Sequence, residues 1–301
     1  MPVKNGRVMR VSGLQCLVEV DGEEWQCDMR GRLKTGMRQA TSPVVVGDWV
    51  EVTALNFGIG VIEKIGPRQA KFSRLASGSR PYEQIIAANL DQLLIVVALR
   101  QPSLRPGFID RAIVMALKGR VEPVVCINKI DLNVEGKVRE IGQVYEQLGY
   151  IVRYTSAKTG AGITELEAQL MGRVSAIIGQ SGVGKSSLLN AIDPSFAIKT
   201  QEMMKRHDRG RHTTAAVQLY RLANSSYVAD CPGIKKLQLW QVDPASVADF
   251  FVEMSPLVGR CHFRDCIHLH EPGCAVRHEV ERGSIATLRY SGYQNIVKSL
   301  L

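Results

Sequence analysis

The sequence predicts a multidomain chain in three parts. The first is a small antiparallel β-barrel over residues 1–72. The second is an α/β unit with a parallel, doubly wound sheet over 73–240, and the third a mostly helical tail over 241–301. Three observations carry this. Short stretches of period-2 alternation, broken by Gly and Asp, fill the first part. From about residue 85 the pattern changes to near-continuous apolar runs separated by helical stretches. Cysteines and histidines then crowd into residues 261–274. With 301 residues and 45% hydrophobic content, the chain has apolar material for more than one core.

In the first part, "GRVMRVSG", "LQCLVEVDG", "EWQCDMRG", "VVVGDWVEVTAL" and "GIGVIEKIG" alternate apolar and polar residues, as strands with one wet face do. Short strands at this spacing suit an OB-fold. Through residue 80 there are 12 Lys/Arg against 8 Asp/Glu. A basic barrel suits single-stranded nucleic acid, and a structural barrel with ordinary surface lysines fits the same composition. The formal charge of the whole chain is +9, which favours a polyanionic partner.

The longest apolar run, Leu93 to Leu99, is too short to span a bilayer. The opening "MPVKNGRVMR" has no signal-peptide character. A cytoplasmic protein without membrane attachment is expected, and its seven cysteines are then thiols or metal ligands rather than disulfides.

In the second part, "DQLLIVVAL", "VEPVVCIN", "YIVRYTSA" and "RVSAIIGQ" read as buried strands. Between them, "GFIDRAIVMALKG", "GKVREIGQVYEQLG" and "GITELEAQLMG" read as helices. The last strand runs into "GQSGVGKSS", a G-x-x-x-x-G-K-S loop spanning Gly179, Gln180, Ser181, Gly182, Val183, Gly184, Lys185, Ser186 and Ser187. "KSSLLNAI" opens a helix directly after it. In that context backbone N–H groups and the helix N-terminus cradle phosphates, Lys185 reaches the outer phosphates, and the Ser186 hydroxyl ligates Mg²⁺.

The base is read from two other loops. "NKID" places Asn128, Lys129 and Asp131 directly after a strand. The Asp131 carboxylate can accept hydrogen bonds from N1–H and the exocyclic amine of guanine, a donor pair adenine lacks. After the next strand, Ser156, Ala157 and Lys158 match the S-A-K loop whose backbone meets guanine O6. GTP is therefore favoured over ATP.

The order of these loops is unusual. GTPases run P-loop, switch I, switch II, N-K-x-D, S-A-K. Here N-K-x-D and S-A-K come first, followed by the P-loop, "GRHTTAA" and "DCPG". This is a circular permutation of one sheet. Asp230 of "DCPG" falls where a carboxylate holds Mg²⁺ through water, and Gly233 where an N–H meets the γ-phosphate. The next residue is Ile234, which cannot orient water as the usual Gln does. Thr213 or Thr214 closes on Mg²⁺ and the γ-phosphate, with Thr213 favoured. The segment from Lys199 to Arg221 holds 6 Lys/Arg and 2 Asp/Glu, which suits a switch loop touching phosphate or RNA, and equally a solvated loop.

In the tail, "CHFRDCIHLHEPGC" offers three cysteines, Cys261, Cys266 and Cys274, together with histidines. Three thiolates and an imidazole within so short a span suit closed tetrahedral zinc. The other cysteines, Cys16, Cys27, Cys126 and Cys231, read as packing residues.

With "NKID", "SAKTG", "GQSGVGKSSLLN", "GRHTT", "DCPG" and "CHFRDCIHLHEPGC", essentially the whole chain resembles the bacterial small-ribosomal-subunit-dependent GTPases of the RsgA (YjeQ) family. The resemblance implies an N-terminal OB-fold, a circularly permuted P-loop GTPase and a C-terminal zinc-binding domain. It implies a GTP hydrolase that binds the small subunit and its rRNA late in assembly and leaves on hydrolysis. A monomer is expected, although the sequence itself does not fix the oligomeric state. The resemblance places the fourth zinc ligand at His268 rather than His262 or His270. It implies His212 as the hydrolytic residue, against the alternatives of RNA contact or local packing. Two other functions stand beside it: a GTP-dependent metal-delivery protein, which would need an open metal site, and a nucleotide-gated RNA-binding module with little hydrolysis.

Overall fold

A computed structural model describes residues 2–34, 43–76, 81–132, 136–196, 217–223, 225–231 and 237–301. Five strands form the N-terminal barrel: β1 (Val3–Ser12), β2 (Gln15–Val20), β3 (Glu23–Met29), β4 (Trp49–Asn56) and β5 (Ile59–Ile65). They run in the order β1-β2-β3-β5-β4, and β4 pairs back onto β1, so the barrel closes. Alternation does the sorting. In β3, Trp25, Cys27 and Met29 point inward while their neighbours face water. They meet Val8, Val18, Val20, Val50, Val52 and Ile62 in a core of their own. Cys16 and Cys27 lie opposite one another across β2 and β3, both buried. One helical turn, α1 (Gly31–Lys34), follows β3.

The central sheet contains β8 (Gln92–Ala98), β9 (Glu122–Asn128), β10 (Ile151–Tyr154), β11 (Val174–Ile178), β12 (Gln218–Arg221) and β13 (Tyr227–Asp230). Its order is β10-β9-β8-β11-β13-β12, parallel except for β12. Strand β8 shows why its sequence is apolar throughout. Leu93, Ile95 and Val97 face one layer, and Leu94, Val96 and Ala98 the other. Helices α2 (Pro106–Lys118) and α3 (Lys137–Glu146) cover the first layer. Helices α4 (Ile163–Leu170) and α5 (Lys185–Ile192) cover the second. A separate ribbon, β6 (Lys71–Leu75) with β7 (Glu83–Ala88), lies between barrel and sheet, bridged to the barrel at Val46 and Ala87.

Barrel and central sheet are stitched together. Arg10 of β1 pairs with Gln218 of β12, which makes one sheet of eleven strands. Beside that seam the Tyr227 hydroxyl donates to Glu19 at 2.6 Å. The Arg7 guanidinium lies 4.3 Å from the Trp49 ring centre and 5.0 Å from that of Tyr227. Several barrel cations are paired with acids: Lys4 with Asp21, Arg30 with Glu63, Lys64 with Glu51, and Arg68 with buried Asp48. The free positive charge of this surface is therefore smaller than composition implies.

The tail runs through 3₁₀ turns at Pro244–Phe250 and Ser255–Leu257 into helices α6 (Ala275–Glu281) and α7 (Thr287–Lys298). Its apolar residues Phe251, Met254, Val276, Tyr293 and Ile296 join the same core as Leu93 and Ala112. The packing of α7 on α2 encloses charge. Arg289 is buried, paired with Asp110 of α2 and bonded to Glu253 at 2.7 Å. Tyr145 donates to Asp110 at 3.1 Å. Among the described residues no helix is long and apolar enough to cross a membrane.

Candidate nucleotide site and metal centre

Strand β11 ends at Ile178, the loop occupies Gly179–Gly184, and α5 starts at Lys185. The loop needs glycine at specific places. Gly184 sits at φ +96°, and a Cβ there would lie 2.4 Å from Asn128 Nδ2. A Cβ on Gly179 would lie 2.4 Å from the Val96 carbonyl oxygen. The backbone thus folds closely over its neighbours at both ends of the loop.

Asn128 is the organising side chain. Fully buried at the end of β9, it donates from Nδ2 to the Val183 carbonyl at 2.8 Å. Its Oδ1 accepts from Thr155 Oγ1 at 3.2 Å and from the Ala157 N–H at 3.4 Å. One amide therefore ties together the loops after β9, β10 and β11. Lys129, with φ +63°, reaches the Gly182 carbonyl at 2.7 Å and that of Gln101 at 2.6 Å. The Ser156 hydroxyl donates to Asp131 Oδ1 at 2.6 Å.

These residues border a cleft of about 400 Å³, lined among others by Asn128, Lys129, Asp131, Ala157, Lys158 and Gly184. A cleft of that size suits a nucleotide-sized ligand. Gln101, in the loop after β8, also lines it. The sequence offered no motif for Gln101, because only the tertiary fold brings that loop beside the P-loop.

On the phosphate side, Asp230 ends β13 in register with Ile177 of β11, at the root of the P-loop. Lys185 Nζ bonds the Gly179 carbonyl at 2.8 Å and that of Gln180 at 3.3 Å. Burial pushes the Asp230 carboxyl up and the Lys185 ammonium down, and each opposes the other's shift. Ser186 and Ser187 are exposed in the first turn of α5, while Ser181 and Gly182 form the open rim. The donor set of a hydroxyl and a carboxylate beside a lysine fits a hard divalent cation held with phosphate. His212, Thr213, Thr214 and Gly233 lie outside the described residues.

The metal candidates converge. The ligand atoms of Cys261, Cys266, His268 and Cys274 all lie within 4.8 Å of one another. His268 Nδ1 is 3.4 Å from Cys261 Sγ, 3.4 Å from Cys266 Sγ and 3.3 Å from Cys274 Sγ. Cys261 and Cys274 are 3.9 Å apart. A tetrahedron around zinc has edges of about 3.5–3.8 Å, from Zn–S near 2.3 Å and Zn–N near 2.0 Å. The residues present therefore fit a closed zinc site.

The chemistry of the donors agrees. Burial, aided by the neighbouring thiols, pushes the Cys266 thiol up to about 12, a crowding a divalent cation relieves by taking thiolates as ligands. Burial lowers His268 toward the neutral imidazole a metal requires. Glu271, which sequence reasoning missed, braces the loop. Its carboxylate accepts the N–H groups of Ile267 and Leu269 at 2.8 Å and of His270 at 2.9 Å. Burial pushes that carboxyl up, yet the backbone donors outweigh it and hold the group at about 2. The four scattered cysteines, Cys16, Cys27, Cys126 and Cys231, are buried away from this centre.

Comparison with known proteins agrees with the geometry. The model of the RsgA GTPase family matches residues 65–240, and that of the RsgA N-terminal domain residues 5–62. The chain is 39% identical to the small ribosomal subunit biogenesis GTPase RsgA of Moorella thermoacetica over 296 residues, covering 98% of this chain and 97% of that one. It is also 39% identical to the protein of that name from Thermotoga maritima, over 286 residues, 94% of this chain and 91% of the relative. The crystal structure of YjeQ from Thermotoga maritima is similar with a TM-score of 0.80 at 35% identity, covering 99% of each chain. That of YloQ, described as a circularly permuted GTPase, is similar with a TM-score of 0.74 at 27% identity, over 99% of this chain and 95% of that one.

Proposed function

The chain belongs to the RsgA GTPase family and is a GTP-hydrolysing enzyme, and on that premise we propose that it binds the small ribosomal subunit late in assembly, is stimulated by it, promotes its maturation and departs on hydrolysis. The observation that carries the nucleotide half is the Asn128 amide, which joins the N-K-x-D, S-A-K and P-loops around one cleft. The ribosomal half rests on the relatives' names.

In this reading Asp131 accepts from guanine N1–H and the exocyclic amine, and Ser156 steadies the carboxylate. The backbone at Ala157 and Lys158 meets O6. The loop Gly179–Gly184 and the N-terminus of α5 surround the phosphates, with Lys185 on the outer oxygens. Mg²⁺, when bound, neutralises charge on the phosphates; Ser186 and Thr213 would hold it directly, and Asp230 through water. His212 orients the attacking water, since Ile234 cannot. Zinc held by Cys261, Cys266, His268 and Cys274 stabilises the tail. The units 1–72, 73–240 and 241–301 act as RNA-binding barrel, GTPase and zinc domain of a cytoplasmic monomer. A metal-delivery role is disfavoured, because the donor set is closed and half-buried or deeper.

GTP turnover with and without purified small subunits tests the proposal. Subunits are expected to raise kcat by about 10²-fold or more, comparable to one or two added catalytic interactions. His212→Ala is expected to lose most of that gain while still binding GTP and the subunit. Wild-type turnover unmoved by subunits would sink the ribosomal reading. Full stimulation of His212→Ala would remove that residue from the mechanism.

A further inference from the structure

Helix α2 touches two things that the chain order keeps apart. Arg111 and Lys118, two turns apart, lie on one stripe of the helix. That stripe faces residues 237–241, the segment the chain enters shortly after Asp230. Arg111 Nη1 donates to the Leu237 carbonyl at 3.3 Å, and Lys118 Nζ donates to the carbonyls of Trp240 and Gln241. From the other side, the Leu75 N–H of β6 donates to the Gln238 carbonyl at 2.9 Å. The segment has no regular structure of its own, so these donors fix its path.

The second contact is with the tail. Arg111 Nη2 donates to the Ser299 hydroxyl at 2.6 Å and to the Asn295 carbonyl at 3.4 Å, both at the C-terminal end of α7. One guanidinium therefore spans the segment beyond Asp230 and the helix that carries Arg289. A planar fork with fixed donor directions cannot follow one partner without straining its bonds to the other. Helix α7 is in turn tied to the metal loop. Tyr290 donates to the His268 carbonyl, and Tyr293 to that of Ile267, both at 2.8 Å. The chain of contacts runs from the segment after Asp230, through Arg111 and α7, to the backbone of the cysteine-histidine loop.

We propose that Arg111 is a positioning residue that couples the segment leaving the phosphate side of the nucleotide site to helix α7 and the metal-bearing tail. The proposal rests on guanine nucleotide binding at the P-loop, as argued above, and not on any ribosomal partner. Coupling of this kind is reciprocal. A nucleotide that shifts the segment biases the tail, and whatever holds the tail biases nucleotide binding by the same factor.

The test is hydrogen exchange in zinc-loaded, full-length protein, followed at residues 287–301 with GDP and with a non-hydrolysable GTP analogue. Affinities for both nucleotides and zinc content are measured on the same samples. In wild type, exchange in α7 is expected to differ by about tenfold between the two nucleotides, within the usual range of coupling between sites. Arg111→Ala is expected to shrink that difference below about twofold, with nucleotide affinity and zinc content unchanged; this is a loss of coupling rather than of structure. Arg111→Lys, which cannot reach both partners at once, behaves as Arg111→Ala. Ser299→Ala, which removes the shorter of Arg111's two bonds at the end of α7 and leaves that to the Asn295 carbonyl, at least halves the difference and serves if Arg111→Ala does not fold. An undiminished difference in Arg111→Lys and Ser299→Ala overturns the proposal. So does a wild type that binds both nucleotides with equal exchange in α7. A wild type that binds neither would instead sink the nucleotide assignment on which the proposal stands.

Discussion

Both ends of the Asn128 amide are engaged by the protein itself, and in the proposed function recognition of a base edge falls to Asp131, which accepts from Ser156 Oγ. Asp131→Asn leaves that hydroxyl a partner of similar shape but offers the base an amide in place of a carboxylate. The expected outcome is weaker GTP binding by about 3–6 kcal/mol, the worth of two hydrogen bonds to a charged acceptor. Xanthosine triphosphate, with a different edge, should gain on it. Equilibrium titration with both nucleotides checks this, and unchanged GTP affinity would overturn the guanine assignment. This site was legible in the sequence because each residue belongs to a motif with fixed spacing next to a strand end. Gln101 was not, since its place depends on how the loop after β8 folds against Gly182. Asp110 and Arg289 were not legible either. Lone charges on amphipathic helices read as surface, and these partners are 179 positions apart.

At the scale of elements, β8, β9 and β11, written as near-continuous apolar runs, were readable because both faces of a parallel sheet are buried. β10 reads as buried too, but it is the edge strand, carries Arg153, and has only Val152 buried. The ribbon β6–β7 was not singled out. Its strands are short and carry Lys71, Arg74 and Glu83, and what stabilises them is pairing with each other and contact with the barrel. The tail reads in sequence as a unit of its own, yet its apolar side is continuous with the core over α2. Two expectations belong here. Cys266→Ala should lose the metal and loosen residues 261–274, leaving GTP affinity in place, because the central sheet has cores on both faces. Elemental analysis finding less than one metal per wild-type chain after metal-replete purification would count against the centre.

The second concerns the α2–α7 seam. Burial, with Glu253 adding repulsion, raises the Asp110 carboxyl to about 6 despite Arg289. A carboxyl raised on folding is held more favourably as the acid. Its charge therefore costs stability above about pH 6, and that cost is relieved as pH falls through 6. Between pH 7 and 5, wild type should gain on the order of 1 kcal/mol relative to Asp110→Asn. Urea midpoints of the two proteins at both pH values check it, and a constant gap would refute it.

At the scale of the whole molecule, permutation changes what the chain meets on leaving the phosphate side of the site. β12 and β13, which in sequence adjoin the two proposed switch segments, lie against the barrel through Arg10, Glu19 and Tyr227. The loops assigned to guanine and phosphate sit on β9, β10 and β11, farther along the sheet. Deleting residues 1–72 is therefore expected to weaken subunit binding while holding nucleotide affinity within about tenfold, a change of no more than 1.4 kcal/mol. Binding to small subunits at full strength by the truncated chain, measured by sedimentation, would take the barrel out of recognition. The eleven-stranded sheet also has a consequence for assembly. The barrel closes on itself beyond β12, which meets it at the single pair Arg10 and Gln218, so within the described residues the strand of this sheet with one side wholly without a partner strand is β10. That strand has four residues, and Arg153 within it turns its guanidinium to Gln169 at 2.7 Å. A short edge strand bearing a charge discourages a further strand. If two chains did join there, each would meet the same surface of the other, and a two-fold pair would leave neither β10 edge for a third. Growth through that edge therefore stops at a dimer.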